Sequence, residues 1–448
     1  MSAVTLDDIR PCLEGIIPSM IATCAPDGTP NVAYLSQVYY ADPRHVALSF
    51  QFFNKTRQNI LANPHATLLL LHPQTSAYYR LQIRYLRTQT EGPLFESMRA
   101  QLAGIASHSG LADVFELKGS DIYEVLAIEA VPGTALPAPP PRCGLLGQVR
   151  RCSEQLARCT TLDEALEAVM TALSRDLGVT HAMVLLLDPA LQRLYTVASH
   201  GYPQSGVGSE IELGRGVIGM AARERTPVRI THMTSASLYN HAVRRTLERR
   251  QPGIVLDTDI PYPGLAQPQS QMAVPILSAG KVLGVLFVES TEELRFGYED
   301  EDALVAMAGH LGAAMDLLRL ETDDTAPSST QPPAPPHPMS QDQVQVRRYR
   351  SNNSIFLNDS YLIKGVAGAI FWKLLNDYQQ RSRTDFSNRE LRLDASIGLP
   401  EVVDNLEARL ILLERRLAEQ ALPLRIEKTG RGQLRLCVGV GIELSESD

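Results

Sequence analysis

Two proline-rich stretches set the limits on what this chain can fold into. VPGTALPAPPPRCG at 131–144 and TDDTAPSSTQPPAPPHPMSQD at 322–342 combine fixed φ angles with missing backbone donors. Neither can run through a helix interior or a central strand. The first reads as a semi-rigid spacer, the second as an extended or disordered tether. They divide 448 residues into three segments, 1–134, 145–321 and 343–442, each long enough for its own core.

At 44% hydrophobic and 21% charged residues, the composition is that of an ordinary globular protein. No apolar run reaches the length of a membrane helix, and the start MSAVTLDDIRPCLEG lacks the basic and apolar regions of a signal peptide. A cytoplasmic protein with no membrane partner is expected. A net charge of −8 argues against nucleic-acid binding by the chain as a whole. The charge is uneven, however: between 341 and 441 Lys and Arg outnumber Asp and Glu, so the last segment is basic and the rest acidic. The six cysteines show no CxxC or Cys/His spacing, so no metal site is expected and the thiols are read as free. Cys152 and Cys159, seven apart, would share a helical face.

Residues 18–131 alternate as strands do, with a turn at Asp27-Gly28, another at Asp42-Pro43, and a short helix over 54–62. SAYYRLQIRYLRTQTEG reads as a strand pair, GPLFESMRAQLAGIA as a helix and DIYEVLAIEAV as a last strand, together a closed barrel of about six strands. IATCAPDGTPNVAYLS, the unit FFNKTRQNILANPHATLLL and the final Tyr-Glu-Val strand resemble the FMN-binding split-barrel family that includes pyridoxamine phosphate oxidase. The resemblance implies FMN, with its phosphate at the turn Asn54, Lys55, Thr56 and Arg57, and with Ser36, Gln37 and Gln51 flanking the ring. Cations and hydroxyls beside a helix N-terminus suit a phosphate on physical grounds as well. The alternatives are haem, held by other members of this fold, with His45, His65, His72 and His108 as possible ligands, and a barrel with no cofactor. The family's Arg-Lys pair reads Lys55-Thr56 here, a further phosphate-binding arginine is missing from NVAYLSQV, and the substrate-binding Arg/His segment has no counterpart. No catalytic residue is assigned.

The middle segment opens with two helices, the second starting at the capping box Thr161-x-x-Glu164. Strands at THAMVLLLD and RLYTVASHG, a helix at GRGVIGMAARER, the hairpin QMAVPILSAGKVLGVLFVES and a long final helix follow. This α/β order resembles a GAF domain. Gly214, Gly216 and Gly219 mimic a dinucleotide fingerprint but lack its βαβ context. The resemblance implies a small-molecule effector or dimerisation alone; the long segment 236–269 reads either as a solvated surface loop or as a cover over the pocket whose His241, Arg244 and Arg245 reach an anion. Leu304, Ala308, Leu311, Met315 and Leu318 form a 4-3-4-3 seam, which suits either packing on its own sheet or a parallel dimer helix. A homodimer is expected.

In the last segment Leu406, Leu410, Leu413 and Leu417 form one apolar stripe on a helix, with arginines off the stripe. AGAIFWKLLNDY reads as a preceding helix, Ser387-Asn-Arg-Glu390 as a capping box opening a short one, and RIEKTGRGQLRL as a basic hairpin. Three helices closed by such a hairpin is the layout of a winged helix. Ser354–Leu436 resembles the winged-helix output domain of bacterial response regulators, with a wing about one residue short. The helix then offers Asn405 and Arg409 to base edges, Arg415 and Arg416 to the DNA backbone, and the wing offers Lys428 and Arg431. The fold class expected is multidomain: a β split barrel, an α/β GAF sensor domain and an α+β winged helix. The expected function is a one-component bacterial transcription regulator that couples flavin, redox or small-molecule sensing to DNA binding. The alternative is a flavin-dependent oxidoreductase of the split-barrel family whose C-terminal domains regulate it.

Overall fold

The computed structural model describes residues 4–14, 19–35, 38–50, 54–108, 117–138, 144–231, 262–323, 343–358, 360–399, 406–420, 422–430 and 432–447, with side chains at all of these except 104–108 and 320–323. Ser36, Gln37, Gln51, His241, Arg244, Arg245, Asn405 and Arg431 lie outside the described residues.

The first sheet holds β1 (Ser19–Cys24), β2 (Pro30–Leu35), β3 (Val38–Asp42), β4 (His45–Phe50), β5 (His65–Leu71), β6 (Tyr78–Gln89) and β7 (Gly119–Ala130). Helix α1 (Lys55–Ala62) enters between β4 and β5, and α2 (Pro93–His108) between β6 and β7. The strand order is β2-β1-β5-β6-β7-β4-β3 among the described residues. Alternation builds its core: Ile21 on β1, Leu68 and Leu70 on β5, and Leu81 and Ile83 on β6 point inward and are fully buried. The stretch expected to be a strand pair is the single 12-residue β6. Its register shifts twice against β7, at Gln82/Ile83 and Tyr85/Arg87, and such bulges curve a long strand instead of breaking it. The barrel expected from the sequence holds seven strands where about six were read.

The second sheet runs β10-β9-β8-β13-β12-β11. Its strands are β8 (His181–Asp188), β9 (Arg193–His200), β10 (Glu210–Glu212), β11 (Val228–Ile230), β12 (Ser270–Ser278) and β13 (Lys281–Ser290). On one face lie α3 (Leu145–Leu156), α4 (Leu162–Thr171) and α6 (Tyr298–Asp323); α5 (Gly216–Glu224) lies on the other beside α2 of the first unit. Covered on both faces, β8 and β13 are near-continuous hydrophobic runs. Gly214, Gly216 and Gly219 build the tight entry to α5: Gly214 N–H donates to the Gly219 carbonyl at 2.8 Å, and a Cβ on Gly219 would stand 2.2 Å from the Glu212 carbonyl oxygen. All five residues of the 4-3-4-3 seam are buried, at 6% exposure or less, in the core that α6 forms against β12. The seam faces its own sheet, so it offers no surface to a second chain. Cys152 is buried on α3, but that helix ends at Leu156, so Cys159 falls beyond it and not on a shared face.

The last unit has β14 (Gln343–Tyr349), β15 (Ser354–Leu357) and β16 (Ser360–Ile363), then α7 (Gly365–Arg381), β17 (Asp385–Ser387), α8 (Asn388–Leu393) and α9 (Leu406–Glu419). The hairpin β18 (Leu424–Gly430) and β19 (Gln433–Val438) and the final β20 (Gly441–Ser447) close it. β20 pairs in parallel with β14, so the unit extends to 447, five residues beyond the boundary read from the sequence. β17 adds to the hairpin through β19. Leu406, Leu410, Leu413 and Leu417 are all buried, each contributing about 1.5–3 kcal/mol relative to exposure. The caps form as expected: the Thr161 hydroxyl accepts from Glu164 N–H and the Ser387 hydroxyl from Glu390 N–H. No described helix is long and apolar enough to cross a membrane.

Candidate functional site

Three places gather the charged side chains singled out in the sequence or placed by the fold. The first is the N-terminus of α1. The Asn54 side chain caps the helix by accepting from Arg57 N–H at 3.0 Å. Thr56 is buried, and its hydroxyl accepts from Asn31 Nδ2 at 3.0 Å. Lys55 is exposed. Arg57 turns inward: Nη1 pairs with Asp121 on β7, Nη2 donates to Thr88 at 2.8 Å, and the guanidinium stacks on Phe50 at 4.4 Å. Thr88 also donates to Asp121 at 2.6 Å, so the carboxylate sits in a closed polar network. Of the two expected cations, one is neutralised internally by a carboxylate that would repel a phosphate. These residues fit a flavin phosphate only through Lys55 and the helix N–H groups, which is a poor fit. His45 pairs with Asp42 at 2.8 Å, and His72 accepts turn N–H groups from Gln74 and Thr75 at 3.2 Å, so both have structural roles here.

The second place joins the first two units and was not read from the sequence. Arg229 on β11 donates Nη1 to Glu14 at 2.5 Å and Nε to Glu301 on α6 at 2.7 Å. The Arg229 and Glu14 side chains are each 6% exposed. Burial pushes the Glu14 carboxyl up, and Arg229 pulls it part of the way back. At the rim, Arg99 on α2 pairs with Glu224 on α5 at 2.7 Å.

The third place is α9. Arg409 is buried and donates Nη2 to Asp188 at the end of β8 at 2.5 Å, with its guanidinium over the Tyr195 ring at 4.3 Å. Arg415 donates to the Val197 carbonyl and to Asp163 on α4, both at 2.7 Å. Arg416 stays within its own unit, donating to the Leu362 carbonyl at 3.0 Å and pairing with Glu419. Lys428 on the hairpin reaches Glu407 at 3.2 Å. Of the described residues assigned to DNA, Arg409 and Arg415 thus face the middle unit, while Arg416 and Lys428 pair locally. Spacing on one helix carries no signal for a partner 221 residues away, which is why Asp188 went unread.

With this geometry in place, two families can be matched. Residues 5–128 match the family model described as pyridoxamine 5'-phosphate oxidase, and residues 159–316 match that of the GAF domain. The chain therefore carries a pyridoxamine phosphate oxidase-like, split-barrel domain followed by a GAF domain. Solved structures it is similar to include the GAF domain of an Acinetobacter phosphoenolpyruvate-protein phosphotransferase, at 22% identity over 39% of this chain and 94% of that one, TM-score 0.31. An FMN-binding protein from Syntrophomonas wolfei is 16% identical over 28% of this chain and 86% of that one, TM-score 0.25. HupZ of Group A Streptococcus is 20% identical over 30% of this chain and 98% of that one, TM-score 0.23. No curated protein matches.

Proposed function

We propose that the chain is a ligand-responsive transcription regulator. Its split-barrel and GAF domains are the sensory part, and residues 343–447 are a winged-helix DNA-binding domain. The observation that supports this best is the order of the last elements: three antiparallel strands, three helices, then a hairpin whose Lys428 stands beside the first turn of α9. A helix flanked by a basic hairpin is the geometry that places side chains on base edges and cations on phosphates. In this reading Asn405 and Arg409 approach base edges, Arg415 and Arg416 the backbone, and Lys428 and Arg431 enter from the wing. FMN is the ligand carried for the first domain, by its relation to pyridoxamine phosphate oxidase; the Arg57–Asp121 pair stands against tight phosphate binding.

The test is selection of duplexes from a random pool by the full chain at low salt, followed by titration of a selected duplex and of random DNA. Lys428→Ala should weaken both alike and lower the salt slope by about one unit. If neither the wild-type chain nor a variant with α9 released binds any duplex, the regulator reading falls. A flavin-dependent oxidoreductase with regulatory C-terminal domains is then the reading to pursue, by absorbance of the purified protein and turnover of a reductant.

A further inference from the structure

We infer that the GAF domain is an intramolecular competitor of DNA: Asp188 and Asp163 hold the arginines of α9 in the places that nucleic-acid phosphates and base edges would take. The inference rests on the DNA-binding reading above and names how that site is regulated.

The contact is built from both sides. Asp188 ends β8, and its Oδ1 accepts the N–H groups of Ala190 and Leu191 at 3.0 Å, which fixes the β8–β9 turn and leaves Oδ2 for Arg409. Tyr195 on β9 supplies the aromatic face beneath the same guanidinium. One turn and a half along α9, Arg415 spans β9 and α4 through the Val197 carbonyl and Asp163. Glu419 reaches Ser205, and Lys364, just before α7, reaches Glu210 on β10 at 3.3 Å. The hydrophobic core runs without a break from the helical face of the GAF domain into the last unit. An α9 seated this way cannot enter a major groove, because its Arg409 and Arg415 are turned into the GAF domain.

The chemistry of the contact favours release. A buried ion pair loses hydration on both partners, and apolar residues of similar volume are often as stable or more so. Arginine bound to a carboxylate exchanges readily for arginine bound to a phosphate, since both are bidentate acceptors of the same fork. DNA and the GAF domain therefore compete for one set of donors. A ligand that binds only the released form must shift the balance toward DNA, by linkage.

The experiment compares the full-length wild-type chain with Asp188→Asn/Asp163→Asn. Asparagine at 188 keeps the oxygen that orders the turn and removes the charge that holds Arg409. Two readouts are taken: binding of a selected duplex at low salt, and amide hydrogen exchange of peptides covering 406–420. The expected result is at least tenfold tighter DNA binding by the variant and faster exchange along α9. Unchanged exchange with unchanged affinity overturns the inference. So does a wild-type chain that binds DNA as tightly as the variant. Faster exchange in the variant with no DNA binding by either protein supports the clasp and refutes the DNA reading. Should Asp188→Asn fail to fold, the rim variants Asp163→Asn and Glu210→Gln carry the same comparison with smaller shifts in the same direction.

Discussion

Arg229→Met at the joint between the split-barrel and GAF domains is the perturbation whose size follows most directly from the structure. Arg229 is the cation between Glu14 of the first domain and Glu301 of the second, at 2.5 and 2.7 Å. Methionine has similar length and no charge, so packing is largely kept while two carboxylates are left facing each other. Removing one partner of a buried pair costs about 3–5 kcal/mol. At about 1.4 kcal/mol per tenfold, the joint should open some two to three and a half orders of magnitude more often. A chain of several domains has no single unfolding free energy, so the readout must be local. Hydrogen exchange of peptides covering 9–14 and 228–231 reports opening at the joint itself.

The pH dependence gives the argument a sign. Burial already raises the Glu14 carboxyl, Glu301 raises it further, and Arg229 is the largest opposing influence. In Arg229→Met the upward push loses its largest opposing influence, and the Tyr298 backbone hydrogen bond remains to lower the carboxyl. A carboxyl raised in the closed state takes up a proton on closing, so its contribution is present at low pH and is lost as pH rises through the raised value. The cost of the substitution should therefore be larger at high pH than at low pH, where protonation removes the Glu14 charge. Glu14→Gln placed on top of Arg229→Met should recover most of the loss at pH 8. Exchange within tenfold of wild type at pH 8, or a larger cost at pH 5 than at pH 8, would refute the reasoning.

Three further outcomes are expected. Leu311→Glu places a charge in the fully buried core between α6 and β12, so it should unfold the GAF domain, read as loss of its thermal transition; a dimer cleanly converted to folded monomers in light scattering would sink that expectation. Asp121→Asn should tighten FMN binding by about tenfold or more in a fluorescence titration, because it frees Arg57 for a charge-assisted bond worth about 1.5–3 kcal/mol; equal affinity for the two proteins would show that the turn is not the phosphate site. Burial pushes the Cys12 thiol up to about 12 and the Cys152 thiol up to about 11, so both should resist a thiol reagent at pH 8 until denaturant is added; rapid modification of either in the native chain would contradict their placement.

Local signals in the sequence were legible because each is written within a few residues. The Asp27-Gly28 turn forms, with Gly28 at φ 87°. The Thr161 and Ser387 caps form, and the leucine stripe of α9 is buried as its spacing requires. What could not be read is what crosses the chain. β14 finds β20 nearly a hundred residues on, and neither strand has a feature that names the other. Arg409, three residues after Leu406 and four before Leu413, lies on the flank of the leucine stripe, where helical periodicity does not decide between solvent and a partner. It is buried only because a second domain covers that side, and periodicity on one helix describes one layer of neighbours. The α6 seam failed as a dimer signal for the converse reason: a 4-3-4-3 spacing fits a flat sheet as well as a partner helix. Here the sheet is close enough that a Cβ on Gly312 would stand 2.4 Å from the Leu277 carbonyl oxygen.

Two arginines expected to meet ligands share a fate that ties the ends of the molecule together. Arg57 was assigned to a flavin phosphate and Arg409 to DNA; each is instead paired with an aspartate far away in sequence and stacked on an aromatic ring. In both places the aspartate holds the donors that the expected ligand would need, so binding would be an exchange of one acceptor for another and not the filling of an empty site. The net free energy of such an exchange is the small difference between two strong interactions, which makes it sensitive to how the aspartate is held. Asp121 lies in a network closed by Thr88, whereas Asp188 hangs from a turn between two strands of the sensor domain. The first is fixed by its own sheet and should yield slowly. The second sits where β8 meets the β8–β9 turn, so a ligand that shifted that turn would change the proposed competition at α9 directly. Salt tests the exchange: screening weakens the partly exposed Arg415–Asp163 pair that DNA must displace, so affinity should fall less steeply with salt in the wild-type chain than in Asp188→Asn/Asp163→Asn. A steeper salt slope in the wild-type chain than in the variant would mean that the aspartates and DNA do not share the arginines.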